Sequence, residues 1–397
     1  MRTRTAIAAS VLAALTVPLA SEVRIRPSEE PLTVRWRGVP IEPRGLTQLG
    51  ISFRPRQAEA TGLDPQVSLR TLLAYPFHLV RLGAYWDRLE PDAGSFDPTD
   101  LDWQIEAAET AGKQVIVCVG ALKNFGYPEF YAPLHHLRPP LREGSLIRPA
   151  ANGELLAAAT SFVTRVVERY RGRGSIVAWQ VEHEAVDPLG LEHSWRLAVD
   201  FVEREISAVR RADPTRPVLL NGFLPTSLPV RAQQWWRTRD QGDSLDLAAR
   251  LADIVGIDYY PRHALVGLGH LTAYLDGDRS PWRRRFVPSS EDRGRRRMVT
   301  EGQAEPWEAV TAPPNPADRA MYSCPPERVI ENYNRCLRRA RRAGIQLEAY
   351  LFWGAEYWLL RSLSGDSSYV DAFARIVGDD RASSPEKTLS SEPRVVP

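Results

Sequence analysis

Short runs of β-branched and apolar residues alternate along this chain with longer stretches in which apolar positions recur every third or fourth residue. The first pattern predicts strands and the second amphipathic helices. The strand-like runs are Gln48–Phe53, His78–Gly83, Gln114–Gly120, Ile176–Val181, Val218–Gly222, Ile254–Tyr259, Met298–Thr300 and Glu348–Phe352. Helical patterns such as Leu101–Ala111, Leu155–Tyr170, Ser194–Ala212 and Pro326–Ala343 lie between them. Eight strands, each followed by a helix or a long excursion, predict an α/β fold built as a single (β/α)8 TIM barrel. A doubly wound sheet would need a Gly-rich phosphate turn after an early strand, and no G-x-G-x-x-G or Walker sequence follows any of these runs. The longest excursions follow the third, sixth and seventh strands and are expected to wall a cleft.

The ends of the chain lack this alternation. Met1-Arg2-Thr3-Arg4-Thr5 precedes an apolar stretch from Ala6 to Ala20, a basic start and a run too short for a bilayer span, in the form of a secretory signal. Cutting after Ala20 would place Pro18 where a small residue belongs. Export is therefore expected either as a secreted protein or as one held at the membrane by an N-terminal anchor, with a cytoplasmic N-terminal segment as the alternative. Residues 1–20 are read as signal or anchor, 21–43 as a lead-in segment, 44–378 as the barrel domain and 379–397 as a disordered tail.

Composition narrows the partners. Shares of 43% hydrophobic and 25% charged residues belong to a globular protein, and a net charge of +2 argues against nucleic acid as the main partner. Eleven Trp and thirteen Tyr are a generous supply of flat faces, which serve packing or stack on sugar rings. Cys118, Cys324 and Cys336 match neither a disulfide framework nor a metal spacing, and Cys118, in an apolar run, reads as an inert core thiol. His135 and His136 are adjacent in a loop, and there is no His-Glu-x-x-His on a helix, so no metal site and no cofactor are expected.

Strand after strand ends in chemically capable side chains: Ser52 and Arg54, Arg81, Lys123 and Asn124, Glu182 to Glu184, Asn221, Tyr259 and Tyr260, Glu301, Trp353. The carboxyl ends of barrel strands converge on one face, so these residues predict a pocket. The sharpest signals are Ala178-Trp179-Gln180-Val181-Glu182-His183-Glu184, ending the fourth strand, and Met298-Val299-Thr300-Glu301, ending the seventh. Glu184 and Glu301 can therefore enter one pocket from different sides. Two carboxyl groups about 5 Å apart are the equipment of retaining glycoside hydrolysis.

These residues bring out a resemblance. The stretch from about Leu49 to Trp358 resembles the retaining (β/α)8 glycoside hydrolases of clan A, including family 5 cellulase-like and family 42 β-galactosidase-like enzymes. The resemblance implies that Glu184 is the acid/base and Glu301 the nucleophile. It further implies that Arg81 lies beside the nucleophile, that Tyr260 in Ile257-Asp258-Tyr259-Tyr260-Pro261 donates to it, and that Trp353 lies under the bound sugar. The segment Tyr85-Trp86-x-x-Leu89-Glu90-Pro91-x-x-Gly94 resembles the clan's second βα loop. The chain departs at His183, where most of the clan has the Asn that bonds the sugar 2-hydroxyl. That leaves the sugar open, and a catalytically inactive carbohydrate-binding barrel as the alternative. The implied activity is hydrolysis of O-glycosidic bonds in an oligo- or polysaccharide by double displacement, with Arg54, Arg81, Trp86, Lys123, His183, Tyr260 and Trp353 binding substrate. A cationic Arg81 and a donating Tyr260 favour an ionised Glu301, whereas Glu184, facing that charge in a partly dry pocket, is expected to have a raised pKa.

Other residues allow two readings. Strand alternation sends Glu182 to the same face as Glu184, where it bonds a neighbouring strand or joins the chemistry. Glu305 and Glu356 bind sugar or are solvated loop carboxylates. Tyr85, Trp86, Trp307, Tyr357 and Trp358 stack on sugar or pack. The runs Arg283–Arg285 and Arg293, Arg295 to Arg297 recognise an anionic glycan or form a solvated basic excursion.

Overall fold

The computed structural model describes residues 21–378 apart from 139, 143, 189–194, 279–281, 287–294, 307 and 309–315. The expected leader over 1–20 and tail over 379–397 lie outside the described residues. All eight predicted strands form: β1 (Gln48–Ser52), β2 (Leu79–Gly83), β3 (Gln114–Cys118), β4 (Ile176–Gln180), β5 (Val218–Phe223), β6 (Ile254–Tyr259), β7 (Arg296–Gln303) and β8 (Ala349–Trp353). They pair in parallel in chain order, and β8 closes on β1, giving the (β/α)8 barrel.

Each strand is apolar on both faces because it is covered on both. Outward residues such as Val80, Leu82, Val117, Trp179 and Val255 pack beneath the helices in the principal core. Inward residues Leu79, Ile116, Ala178, Leu219, Ile254, Met298, Ala349 and Leu351 fill the amino-terminal end of the barrel as a separate plug. The expected helices appear as Thr99–Thr110, Gly153–Tyr170, Val199–Ala212 and Pro326–Arg342. In the last, Val329, Ile330, Tyr333, Leu337 and Ala340 form the buried stripe. The pattern predicts that the third of these helices starts at Ser194, which is outside the described residues; the helix begins at Val199, and Arg196–Leu197 before it pairs instead with Leu146–Ile147.

The lead-in segment is an integral part of the fold. Val23–Pro27 pairs antiparallel with Leu271–Asp276, which pairs in turn with Arg262–Leu268, making a three-stranded sheet from the excursion after β6. Glu29–Pro31 pairs with Arg319–Met321 from the excursion after β7. Two of the three long excursions are thus tied together by the chain's beginning. All three cysteines are buried and free, and burial pushes the Cys118 thiol up to about 12, as an inert core thiol requires. No helix among the described residues is long and apolar enough to cross a membrane.

Candidate active site

One layer above the apolar plug, strand alternation points a set of polar side chains into the barrel: Ser52, Arg81, Gln180, Asn221, Asp258 and Thr300. All are buried. They form a ring of hydrogen bonds. Arg81 Nε donates to Gln180 Oε1 (2.7 Å), Gln180 Nε2 to Asn221 Oδ1 (2.9 Å) and Asn221 Nδ2 to Asp258 Oδ2 (2.6 Å). Thr300 Oγ1 donates to Asp258 Oδ1 (2.7 Å), Ser52 Oγ to the Thr300 carbonyl (2.8 Å), and Arg81 Nη1 reaches Ser52 Oγ at 3.4 Å. Buried polar groups left unpaired would cost about 1–3 kcal/mol each, so a closed ring is what makes such a layer tolerable. Gly256 gives it room, since a Cβ there would lie 2.7 Å from Asn221 Cβ and 2.9 Å from Thr300 Cγ2.

The ring presents Glu301. Its Oε1 accepts from Arg81 Nη1 (2.8 Å) and its Oε2 from the Tyr260 hydroxyl (2.6 Å). His183 Nδ1 lies 3.5 Å from Glu301 Oε1 and accepts from Asn221 Nδ2 at 2.9 Å. Asn221 Oδ1 is already an acceptor, which fixes this amide's orientation and leaves the His183 ring proton on Nε2. Burial, then the Arg81 and Lys123 cations, hold His183 well below its usual pKa, so the ring is neutral. Phe125, Tyr260 and Trp353 cluster over Cys118 as an aromatic wall, with the Arg81 guanidinium 3.9 Å from the Phe125 ring centroid. Glu301, His183, Tyr260 and Trp353 are 3%, 4%, 8% and 9% exposed, so they line a narrow recess.

The end of β4 breaks the expected alternation. Glu182 and Glu184 both adopt positive φ, 57° and 42°, so the two carboxylates part. Glu182 turns outward to accept from Leu122 N (3.0 Å) and Lys123 N, and it meets Glu205 of the helix Val199–Ala212. Gly120 permits this approach, because a Cβ there would lie 2.2 Å from Glu182 N. Glu184 turns to the recess, where it meets Asp258. A carboxylate oxygen of Asp258 lies within 4.8 Å of one of Glu301 and of a ring nitrogen of His183. Burial, followed by the charges of Asp258, Asp187, Glu129 and Glu301, pushes the Glu184 carboxyl well above the carboxylate range. Beyond it opens a cavity of about 140 Å³ lined by Asp187, Phe223, Gln233, Gln234 and Arg237.

Arg81, His183, Tyr260, Trp353, Glu184 and Glu301 are thus brought together around one recess. Three expected substrate contacts are corrected. Lys123 is buried, with Nζ donating to the carbonyls of Glu184 (2.5 Å) and Asp187 (2.8 Å), so it braces the segment that carries Glu184. Arg54 is held by Glu305 and Glu356 and stacks on Trp353 at 4.2 Å, which also shows that neither carboxylate is simply solvated. Trp86 is fully buried, donates to Glu90 Oε2 and stacks on Phe162 and His136. Tyr85, Tyr357 and Trp358 are likewise packing residues, and Trp307 lies outside the described residues.

The basic runs are mostly committed to the fold. Arg285 pairs with Asp243 and Asp246, Arg295 donates to the carbonyls of Ala248 and Ala252, and Arg296 pairs with Glu348. Arg293 is outside the described residues. Sequence reasoning did not single out Gln180, Asp258 or Thr300, which share the inward face of their strands with the plug residues. It also passed over Glu129, a loop carboxylate at positive φ (71°) that burial and the Glu301 charge raise to about 7. His183, Asp258 and Glu301 offer donor atoms to a metal, but the Arg81 guanidinium already supplies the cation at this spot.

No protein-family model matches the chain, and no curated protein matches it either. Among solved structures it is similar to xylanase 10B from Thermotoga maritima, at 13% identity over 85% of this chain and 98% of that one, with a TM-score of 0.49. A psychrophilic family 10 endo-β-1,4-xylanase matches at 14% identity over 84% and 97%, with a TM-score of 0.48. A family 5 glycoside hydrolase variant from Streptomyces cattleya, in complex with Manβ1-4GlcNAc, matches at 16% identity over 53% of this chain, with a TM-score of 0.39; this chain spans about half (51%) of its length. Likenesses of this size leave the geometry of the site itself as the ground for any assignment of function.

Proposed function

We propose that this protein is a retaining glycoside hydrolase acting on O-glycosidic bonds of an oligo- or polysaccharide. The observation that carries the reading is the unlike treatment of two glutamates in one recess. Glu301 receives a guanidinium and a phenol on its two oxygens, whereas burial, and then the neighbouring carboxylates, discourage ionisation of Glu184. Double displacement needs this division of labour. Glu301 attacks the anomeric carbon while Glu184 protonates the departing oxygen, giving a glycosyl-enzyme. Glu184, now ionised, takes a proton from water as that water attacks the same carbon, and Glu301 leaves unchanged. His183, neutral with its proton on Nε2, replaces an amide as the donor to a sugar hydroxyl.

A screen of aryl glycosides and polysaccharides, with anomeric configuration followed by NMR, identifies the substrate and tests for retention. A 2-fluoroglycoside of that sugar is expected to label Glu301, and Glu301→Gln to abolish hydrolysis. Full activity in Glu301→Gln refutes the nucleophile assignment. Carbohydrate binding with neither turnover nor labelling would instead identify an inactive binding barrel.

A further inference from the structure

Outside the recess, three potential metal ligands that are distant in sequence converge. Glu90 follows the short helix Trp86–Leu89 after β2, and His135 and His136 belong to the turn Leu134–His136 in the excursion after β3. Glu90 Oε1 lies 3.2 Å from His135 Nε2 and 2.8 Å from His136 Nε2. One donor atom from each residue falls within 4.8 Å of the others. Adjacent residues usually send their side chains apart, but this turn holds the two imidazoles with ring centroids 4.4 Å apart and both Nε2 atoms facing one oxygen.

The surroundings fix these groups. Glu90 Oε2 accepts from Trp86 Nε1 at 2.7 Å, and the Gly94 N–H reaches Oε1 at 3.3 Å. His136 stacks on the buried Trp86 ring with centroids 4.7 Å apart. The side chains of Glu90, His135 and His136 are 13%, 23% and 24% exposed, leaving one side of the cluster open to water.

We propose that Glu90 Oε1, His135 Nε2 and His136 Nε2 bind a zinc ion, with water in the fourth position. Two imidazoles and a carboxylate are a zinc donor set, and bonds of about 2.0–2.2 Å in a tetrahedron give ligand–ligand edges of about 3.3 Å. The two observed edges, 2.8 and 3.2 Å, need only open slightly. The Trp86 hydrogen bond is the kind of outer contact that orients a ligating carboxylate. A plain hydrogen-bonded knot would satisfy the same atoms but would have no affinity for zinc. The ion joins the excursion after β2 to the one after β3, which carries Lys123, Phe125 and Glu129 towards the recess.

The test uses the full chain, stripped with chelator, dialysed and titrated with zinc chloride by calorimetry. One equivalent is expected to bind in the micromolar range or tighter and to raise the Tm, and cobalt(II) is expected to give the visible absorption of a tetrahedral site. His135→Ala and His136→Ala should each weaken binding by at least about tenfold, with circular dichroism confirming that the zinc-free variants fold. Glu301→Gln should retain the equivalent, which separates this site from the recess. Absence of zinc binding by the unaltered chain, or undiminished affinity in both histidine variants, overturns the proposal.

Discussion

Asp258 makes no contact with the sugar in the proposed mechanism, yet it meets the Glu184 carboxyl while taking hydrogen bonds from Asn221 and Thr300. Burial, then the Glu301 charge, push the Asp258 carboxyl well up as well, so the two acids compete for a proton. Whenever Asp258 is ionised its charge, added to the effect of burial, opposes ionisation of Glu184. In Asp258→Asn that opposition is gone, so the raised pKa of Glu184 falls and the acid form is lost at lower pH. The alkaline limb of the kcat/KM profile is expected to move towards acid; a limb that stays in place would remove Asp258 from control of the proton. Tyr260→Phe deletes the 2.6 Å bond to Glu301 Oε2. A hydrogen bond to a charged group contributes about 1.5–3 kcal/mol, so kcat is expected to fall by roughly 10- to 150-fold in steady-state assays.

At the scale of the strand, the inner face carries both the plug and the ring, and Gly256 sits between neighbours that leave no space for a methyl group. Gly256→Ala is expected to lower stability by about 1–3 kcal/mol in denaturant titration, with the loss coming from overpacking. Strand positions were legible because each is a short apolar run between turn signals, and the chemistry was legible because Tyr260 and Glu301 follow their runs directly while Arg81 is a cation set inside an apolar one. The end of β4 was not. Positive φ at two glutamates is set by what the chain meets in space, here the ends of the third and fifth strands, and sequence period carries no trace of it. Charge on Lys123 and Arg54 suggested substrate contact for the same reason: their partners, the carbonyls of Glu184 and Asp187 and the carboxylates of Glu305 and Glu356, are remote in sequence. Trp86 was misread because an aromatic residue in a loop was expected to be open.

For the molecule as a whole, buried carboxyls set the response to pH. Burial raises Asp187 and Glu129 to about 7, and burial with the neighbouring Glu182 pushes Glu205 well up. Their folded pKa values exceed the unfolded ones of about 4, so the stability they contribute is fully present below about pH 4 and is lost as pH rises through about 7. Asp276 and Glu90 are lowered, by arginines and by hydrogen bonds respectively, against the opposing effect of burial; their contribution is present above the unfolded pKa and lost in acid. Thermal unfolding is therefore expected to show its highest Tm near mildly acidic pH and a decline of about 2–4 °C per kcal/mol lost towards pH 8; a steady rise from pH 5 to 8 would contradict this. Another consequence follows from the pairing of Val23 with Leu275 and of Glu29 with Met321. During translation each of these segments emerges long before its partner, so its backbone edge stays available to other nascent chains until that partner is made. Yield in a foreign host thus depends on how well chaperones shield an early edge strand that waits for a late neighbour.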